Sequence, residues 1–289
     1  MSPDEHFQNL VRTISAIGGK VSRVNVIMPL LYSARQDRRT SRESLDCAVA
    51  LQHLNEIGVE NIMSIDVHDD RVQNAVPFMG FDSLMPTYQT IKTLCNCYSD
   101  LIFDEQHMVM VSPDFGGMNR NFAYANELGL DIGLFYKRRD LNTVKEGRNA
   151  ILMHKYIGPS LKGKDILMVD DIIASGETML DSVSLIKEMG ARRIFIGASF
   201  GFFTNGIKRF NEAYKMGLFD AVFITNASYR KEEVIQAPWY KEVSIIKYIS
   251  LYIYSVNTGI SVSRIMDPHV KIVEFIKKYK ERLGNCLSQ

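Results

Sequence analysis

The residues with the clearest chemical potential follow a short apolar run in the second half of the chain. Ile166–Val169 are consecutive apolar residues, which predict a strand buried on both faces of a parallel sheet. Two acids, Asp170 and Asp171, come next, followed by the small and hydroxyl-bearing stretch Ser175–Thr178. An apolar pattern at helical spacing then continues to Met189. This order predicts a strand, a loop and a helix whose N-terminal N–H groups can bind an anion such as a phosphate.

The two acids need a separate explanation, because carboxylates beside a phosphate would repel it. A sugar phosphate resolves the conflict, since its hydroxyls can donate to Asp170 and Asp171 while the loop holds the phosphate. Ribose 5-phosphate has this arrangement of groups. Gly176 allows close approach of the backbone, and Ser175 and Thr178 add hydroxyl donors. The alternative is an ordinary strand, turn and helix with acids that face solvent.

A second group of candidate ligands follows a predicted strand near the start of the chain. It combines three arginines with two other hydrogen-bonding side chains: Arg35, Gln36, Asp37, Arg38 and Arg39. Guanidinium groups bind phosphate oxygens in a bidentate manner, so this cluster can hold a polyphosphate. A solvated turn is the alternative.

A histidine with neighbouring acids lies just beyond the next predicted strand. His68 is preceded by Asp66 and followed by Asp69 and Asp70. Histidine and carboxylates suit a divalent cation, such as the magnesium ion that accompanies ATP. A histidine at a strand end is nevertheless more often structural when nothing else supports a site.

Two basic residues, Lys137 and Arg139, stand at the end of another predicted strand. Alternate side chains of an extended segment share one face, so both can reach the same anion. They open a polar span that runs to Asn149 and is too long and too charged for a tight connection. We expect this span to form a mobile lid over an anionic site.

The composition excludes several broad classes of function. The 289 residues include 34 basic and 33 acidic side chains, a net charge of +1, so no bulk field attracts nucleic acid or an anionic membrane. No apolar run approaches the roughly 20 residues that a membrane-spanning helix needs, and no signal segment is recognised. A cytoplasmic location is therefore expected. The cysteines, Cys47, Cys95, Cys97 and Cys286, are expected to be reduced thiols.

Predicted helices and strands alternate along the chain, which indicates an α/β fold with parallel sheets. The alternation breaks after Asp82, at Pro86 and a predicted helix near Tyr88–Tyr98. We therefore place a domain boundary there. The expected parts are a first domain of residues 1–98, a second domain of residues 99–249, and C-terminal helices in residues 250–289 that pack back on the domains.

Several motifs in a fixed order resemble the ribose-phosphate pyrophosphokinase family, also called phosphoribosyl diphosphate synthetases. They are Ala34–Arg39, Asp66–Asp69, Ser112–Gly117, Lys137–Arg139 and Val169–Thr178. Each motif is weak alone, but their order is specific. The resemblance covers nearly the whole chain, and it implies two tandem phosphoribosyltransferase-like domains whose parallel sheets are flanked by helices.

The resemblance also implies a reaction and the residues that perform it. In this family the diphosphoryl group of ATP passes to the anomeric hydroxyl of ribose 5-phosphate, which gives phosphoribosyl diphosphate for nucleotide biosynthesis, and AMP. A homo-oligomer that uses Mg²⁺ is expected. The implied residues are Lys137 and Arg139 for catalysis; Arg35, Gln36, Asp37, Arg38, Arg39 and His68 for ATP; Asp170, Asp171, Ser175, Gly176, Glu177 and Thr178 for ribose 5-phosphate; and His68, Asp66 and Asp114 for the metal.

Two departures from the family pattern leave alternatives open. Members commonly have a third acid where this chain has Ala174, and they open with a strand–helix–strand segment that has no counterpart here. We therefore expect an incomplete sheet in the first domain. A catalytically silent relative that regulates an active synthetase is one alternative, although the presence of Lys137 and Arg139 argues against it. An ordinary phosphoribosyltransferase would leave Arg35–Arg39 and His68 without a purpose.

Overall fold

The chain folds into two compact units, one of residues 1–86 and one that begins at Thr87. The computed structural model describes the backbone of residues 1–145 and 148–287 and the side chains of residues 1–136 and 155–284. Each unit is an α/β structure with its own sheet, parallel throughout in the first unit and parallel except for one edge strand in the second, so the predicted fold class is confirmed. The predicted incompleteness of the first sheet stays a prediction.

The N-terminal unit contains a parallel sheet of three strands. Its elements are α1 (Pro3–Ile17), β1 (Val24–Ile27), α2 (Asp46–Glu56), β2 (Val59–Ile65), a 3₁₀ helix (Asp70–Ala75) and β3 (Gly80–Leu84). The strands lie in the order β1-β2-β3. Leu51 and Leu54 on α2 pack with Ile62 of β2 in a core that solvent hardly reaches. This core fixes the loops that follow β1 and β2, which carry the predicted ATP residues.

The C-terminal unit is built around a larger sheet. Its elements are α3 (Thr87–Cys97), β4 (Met108–Ser112), α4 (Met118–Leu128), β5 (Ile132–Lys145), β6 (Arg148–Ile157), β7 (Asp165–Ile173), α5 (Glu177–Glu188), β8 (Ile194–Gly201), α6 (Lys208–Lys215), β9 (Ala221–Thr225), α7 (Glu232–Ile235), β10 (Tyr240–Val243), α8 (Ile246–Thr258), α9 (Ser263–Met266) and α10 (His269–Leu287).

The order of the seven strands, β10-β9-β8-β7-β4-β5-β6, places a topological switch point in the sheet. From β4 the chain passes through α4 to β5 on one side, whereas from β7 it passes through α5 to β8 on the other. Every residue of β4, β8 and β9 is buried, as expected for central parallel strands. Ligands of such sheets bind at the carboxyl ends of the strands where the direction reverses, here β4 and β7.

Helix α3 belongs to the C-terminal unit, so the division between the units precedes the boundary predicted after Tyr98. Ile91 and Leu94 of α3 pack in one core with Met108 and Phe195 of the second sheet. The sequence places the boundary where the alternation of helices and strands breaks. Such a break does not show which sheet an amphipathic helix packs against with its apolar face. Helix α10 joins the same core through Tyr279, whose hydroxyl accepts from the Leu101 N–H at 2.9 Å.

The described backbone of the polar span expected to form a lid is extended. Strand β5 continues to Lys145, and β6 pairs with it antiparallel, with Lys137 opposite His154. The sequence did not predict this pairing, because a hairpin at the edge of a sheet does not require the apolar alternation by which strands are recognised. The role of the span as a lid stays a prediction. Within the described ranges, no helix has both the length and the apolar character needed to cross a membrane.

Candidate active site

The carboxyl ends of β4 and β7 form the floor of the candidate site in the C-terminal unit. Strand β7 extends to Ile173, so Asp170 and Asp171 are strand residues and not loop residues, contrary to the predicted strand end at Val169. Asp171 is 2% exposed, whereas Asp170 is only partly buried.

A buried arginine faces both acids. Arg120 on α4 has a side chain that is 6% exposed, and its Nη1 lies 3.5 Å from Asp170 Oδ1 while its Nη2 lies 4.0 Å from Asp171 Oδ2. Burial and the charge of Asp171 raise the pKa of the Asp170 carboxyl well above its usual range, and the guanidinium opposes this rise. The site therefore concentrates acidic groups that a single cation partly compensates.

Asn121, the next residue of α4, fixes the backbone of β7 immediately before the acids. Its Nδ2 donates to the Val169 carbonyl at 2.7 Å, and its Oδ1 accepts from the Val169 N–H at 2.9 Å. The same Nδ2 also donates to the Gly117 carbonyl at 2.8 Å. Asn121 is fully buried, so these bonds satisfy polar groups that water does not reach.

The turn between β4 and α4 is ordered by Asp114. The Gly117 N–H donates to Asp114 Oδ1 at 3.0 Å, and Ser112 Oγ donates to the Asp114 carbonyl at 2.7 Å. The Asp114 charge also contributes to the raised pKa of Asp170. Asp114, predicted as a metal ligand, thus already serves as a local cap.

The loop from β7 to α5 is tight and depends on Gly176. This residue has φ +76°, and a Cβ there would come within 2.3 Å of Phe210 Cε2. The Ala174 carbonyl accepts from the Thr204 N–H at 2.9 Å, which fixes the loop from its other side. The N-cap residue of α5 is Gly176, which has no side chain to cap the helix. The first N–H groups of any helix have no acceptor within that helix, so this start suits a bound phosphate.

The remaining predicted ribose 5-phosphate residues surround this helix start. Ser175 and Thr178 are partly buried, and the Thr178 carbonyl accepts from Ser182 Oγ at 3.0 Å. Glu177 Oε1 lies 3.3 Å from both Asn205 Nδ2 and Arg209 Nη1. The carboxylate of Glu177 thus has protein partners of its own.

In the N-terminal unit, the predicted ATP residues contribute to a cleft of about 320 Å³. It is lined by Asp37, Arg38, Asp69, Arg71 and Val72. Arg71 and Asp69 form a bidentate ion pair, and the hydrogen bonds from Arg71 lower the pKa of Asp69 to about 2. The structure thus brings Asp37 and Arg38 of the arginine stretch to the same cleft as Asp69, which follows β2. Their role in binding ATP stays a prediction.

The other members of the arginine stretch and the predicted metal ligands lie near this cleft in sequence. Arg35, Gln36 and Arg39 are exposed, whereas Asp66 is buried and His68 is partly buried. Asp66 has φ +47°, a left-handed backbone that a residue with a Cβ adopts at some cost. In the part of the chain that the structure describes, no three histidine, cysteine or acidic side chains come together to hold a metal.

Lys137 and Arg139, the predicted catalytic residues, lie on β5, but their side chains fall outside the described residues. Their roles stay predictions.

Sequence reasoning missed Arg120, Asn121 and Arg71. For Arg120 a signal exists, because it shares the i, i+4, i+8 face of α4 with Tyr124 and Leu128, both buried. A charged residue on an apolar helix face indicates a buried partner of opposite charge. No comparable local signal marks Asn121 or Arg71.

Comparisons with known proteins agree with this geometry. Residues 1–58 match the N-terminal domain of ribose phosphate pyrophosphokinase, and residues 82–237 match the phosphoribosyl transferase domain. The ribose-phosphate pyrophosphokinase of Mycoplasma genitalium is 28% identical over 268 residues, covering 90% of this chain and 74% of the relative. That of Ureaplasma parvum is 28% identical over 282 residues, covering 95% and 79%. The crystal structure of phosphoribosylpyrophosphate synthetase from Mycobacterium smegmatis superposes with a TM-score of 0.70 at 25% identity, covering 88% of this chain and 78% of that one.

Proposed function

The chain belongs to the ribose-phosphate pyrophosphokinase family, and from this premise we propose that it transfers the diphosphoryl group of ATP to ribose 5-phosphate. The anomeric hydroxyl oxygen of the sugar forms a bond to the β-phosphorus of ATP. The bond from that phosphorus to the oxygen shared with the α-phosphate breaks, AMP leaves with this oxygen, and the hydroxyl proton is released. The observation that carries the proposal is the crevice at β4 and β7, where two acids on β7 precede a tight glycine loop and the start of α5.

The ribose 5-phosphate half of the reaction uses the C-terminal unit. The loop at Gly176 and the first N–H groups of α5 hold the phosphate, with Ser175 and Thr178 as additional donors. Asp170 and Asp171 accept from the sugar hydroxyls, and this orients the anomeric hydroxyl. The separation of phosphate-binding and hydroxyl-binding groups along one strand–loop–helix matches a molecule with a phosphate at one end and a diol at the other.

The ATP half of the reaction uses the N-terminal unit. The cleft lined by Arg38 and Arg71 supplies guanidinium groups for phosphate oxygens, with Arg35 and Arg39 as further exposed cations. Gln36 and Asp37 supply hydrogen-bonding groups beside them, and His68 lies in the loop after β2. Their arrangement favours a polyphosphate over a singly charged ligand.

The transfer itself requires charge stabilisation more than covalent help. We assign Lys137 and Arg139 to the transferring diphosphoryl group, because phosphoryl transfer places negative charge on the equatorial oxygens and preorganised cations stabilise it. Both residues lie in the part of β5 that pairs with β6.

A magnesium ion fits the acidic residues of this chain as an ion that binds together with the substrate phosphates. Mg²⁺ usually keeps several waters and binds one or two carboxylates together with substrate phosphates, so it does not need a preformed protein cage. Within the N-terminal unit His68 and Asp66, and within the C-terminal unit Asp114, are the residues we assign to metal binding. When bound, the ion would neutralise phosphate charge during transfer.

Two other functions have less support. A silent regulatory relative finds no specific support in the fold or in the comparisons. An ordinary phosphoribosyltransferase does not account for the match of residues 1–58 to the N-terminal domain of ribose phosphate pyrophosphokinase. A cytoplasmic homo-oligomer that binds neither membrane nor nucleic acid remains part of the proposal, and light scattering of the purified chain tests the oligomeric state.

The proposal is tested by AMP formation from ATP, Mg²⁺ and ribose 5-phosphate. We expect AMP only when all three are present. Asp171→Asn, which keeps the size of a buried side chain but removes an acceptor charge, should lower the rate strongly, whereas the exposed Asn126→Ala on α4 should not. A wild-type chain that binds both substrates and forms no AMP would refute the proposed activity.

A further inference from the structure

Helix α4 faces the two acids of the site with two consecutive buried polar residues. Arg120 and Asn121 are 8% and 0% exposed, and both reach strand β7 across the switch point. The ribose-binding loop lies on the other side of β7, at the start of α5. These contacts therefore come from an element outside the strand–loop–helix that carries the predicted ribose 5-phosphate residues.

The contact of Arg120 is electrostatic and involves two carboxylates at once. Its Nη1 and Nη2 lie 3.5 and 4.0 Å from oxygens of Asp170 and Asp171, which are longer distances than normal hydrogen bonds. One planar guanidinium thus sits opposite two neighbouring acids and attracts both. Without it, the like charges would repel each other and turn apart.

The contact of Asn121 fixes the main chain in register with those side chains. Both hydrogen-bonding groups of Val169 that face α4 are paired with the Asn121 amide, at 2.7 and 2.9 Å. Val169 directly precedes Asp170, so the backbone position of the first acid is set by this amide. Together the two residues constrain the backbone and the side chains of the same short segment.

Stability alone does not explain such an arrangement. A buried charge is expensive to desolvate, and well-packed apolar residues often join a helix to a strand with equal or better stability. A buried arginine opposite two acids is useful when the acids themselves must stay side by side and oriented. In this site the acids are the groups assigned to the sugar hydroxyls.

We propose that Arg120 and Asn121 are positioning residues of the ribose 5-phosphate site, which hold Asp170 and Asp171 in the orientation that accepts from the sugar hydroxyls. The inference rests on the proposed function, since it takes ribose 5-phosphate as the ligand of these acids. Neither residue needs to touch the ligand. The effect of changing them should therefore appear in the affinity for ribose 5-phosphate and not in the affinity for ATP, whose residues lie in the other unit.

Calorimetric titrations of ribose 5-phosphate and of ATP test this proposal on the full chain. The variants are Arg120→Gln, which removes the charge, Arg120→Lys, which keeps the charge but not the planar fork, and Asn126→Ala, an exposed control on the same helix. Arg120→Gln should weaken ribose 5-phosphate binding about thirtyfold, because it removes one partner of a buried charge cluster. Arg120→Lys should weaken it only about threefold, since an ammonium group approaches one carboxylate at a time. ATP binding should stay within about twofold of wild type in all three, since their positions belong to the unit without the ATP residues.

The outcomes separate this proposal from the function on which it rests. If wild type binds ribose 5-phosphate and a folded Arg120→Gln binds it equally well, the positioning role is wrong while the proposed function stands. If wild type does not bind ribose 5-phosphate, both fail together. Should Arg120→Gln not fold, Arg120→Lys decides, and wild-type affinity in that variant overturns the positioning role. Equal losses of ribose 5-phosphate and ATP affinity would also overturn it, because they indicate a general loss of structure.

Discussion

The loop at Gly176 offers the sharpest test of the phosphate site, because two separate physical costs meet at one position. Gly176 has φ +76°, and a Cβ built on it would lie 2.3 Å from Phe210 Cε2. An alanine in the left-handed region costs roughly 1–2 kcal/mol. Relieving the contact with the ring adds about 1–3 kcal/mol of overpacking. Gly176→Ala should therefore destabilise the protein by about 2–5 kcal/mol.

The overpacking cost applies only if the Phe210 ring cannot move away from the added Cβ. Phe210 is fully buried and packs edge-to-face with Phe203, at 5.0 Å between ring centroids. Its ring centroid also lies 5.5 Å from that of Trp239. A ring in such a cluster has no open space to enter, so the loop must shift instead. A shifted loop moves the N–H groups at the start of α5, and ribose 5-phosphate affinity should fall by about tenfold or more.

A matched control isolates the contact from the backbone strain. Gly217 has φ +68° in the same unit, but a Cβ there meets nothing within 4 Å. Gly217→Ala should therefore cost only the roughly 1–2 kcal/mol of strain and leave ligand binding unchanged. Urea denaturation and calorimetry measure both quantities. In a double-mutant cycle, Phe210→Leu should cost less in the Gly176→Ala background than alone. Equal destabilisation by Gly176→Ala and Gly217→Ala, with no coupling to Phe210, would refute the reasoning.

Three further predictions concern Lys137, Thr178 and Asp165. Lys137→Ala should lower kcat about a hundredfold with little change in ribose 5-phosphate affinity, since a transition-state contact behaves in this way; steady-state kinetics with a binding titration check the split. Thr178→Val should weaken ribose 5-phosphate binding and spare ATP, and equal loss of both would contradict the division of the two sites. Burial would raise the pKa of Asp165, but hydrogen bonds from Arg192 and Arg193 outweigh it and hold the pKa below its usual range. The ion pairs thus stabilise the fold above about pH 4, and this stabilisation is lost as pH falls through the lowered pKa. Asp165→Asn should therefore lower the free energy of unfolding by about 3 kcal/mol at pH 7, and by progressively less toward pH 3, as measured by urea unfolding. A cost that does not change with pH would contradict this.

The sequence carried the strand–loop–helix around Asp170 and Asp171 because that motif is local. An apolar run, two acids and a glycine before a helical pattern each act within a few residues, and the structure has them in that order. The alternation of helices and strands likewise identified the parallel sheets. These patterns could not predict where β7 ends. Acidic residues can continue a strand when a buried residue of opposite charge, here Arg120, compensates them.

Contacts between elements that are distant in the chain could not be predicted from the sequence, for a physical reason. The approach of Asn121 to Val169 and of Phe210 to Gly176 depends on how α4 and α6 pack on the sheet, which no local pattern encodes. The side to which α3 turns its apolar face was missed for the same reason. The pairing of β5 with β6 was missed because backbone pairing at the edge of a sheet does not require an apolar pattern in the sequence.

The central claim is that this chain moves a diphosphoryl group, and the products of a single reaction test it most directly. Phosphorus NMR of the chain with ATP, Mg²⁺ and ribose 5-phosphate should reveal AMP and a sugar that carries a diphosphate on its anomeric carbon, in equal amounts. Attack at the β-phosphorus predicts this pair. Formation of ADP in place of AMP, or of AMP without a diphosphorylated sugar, would contradict the account.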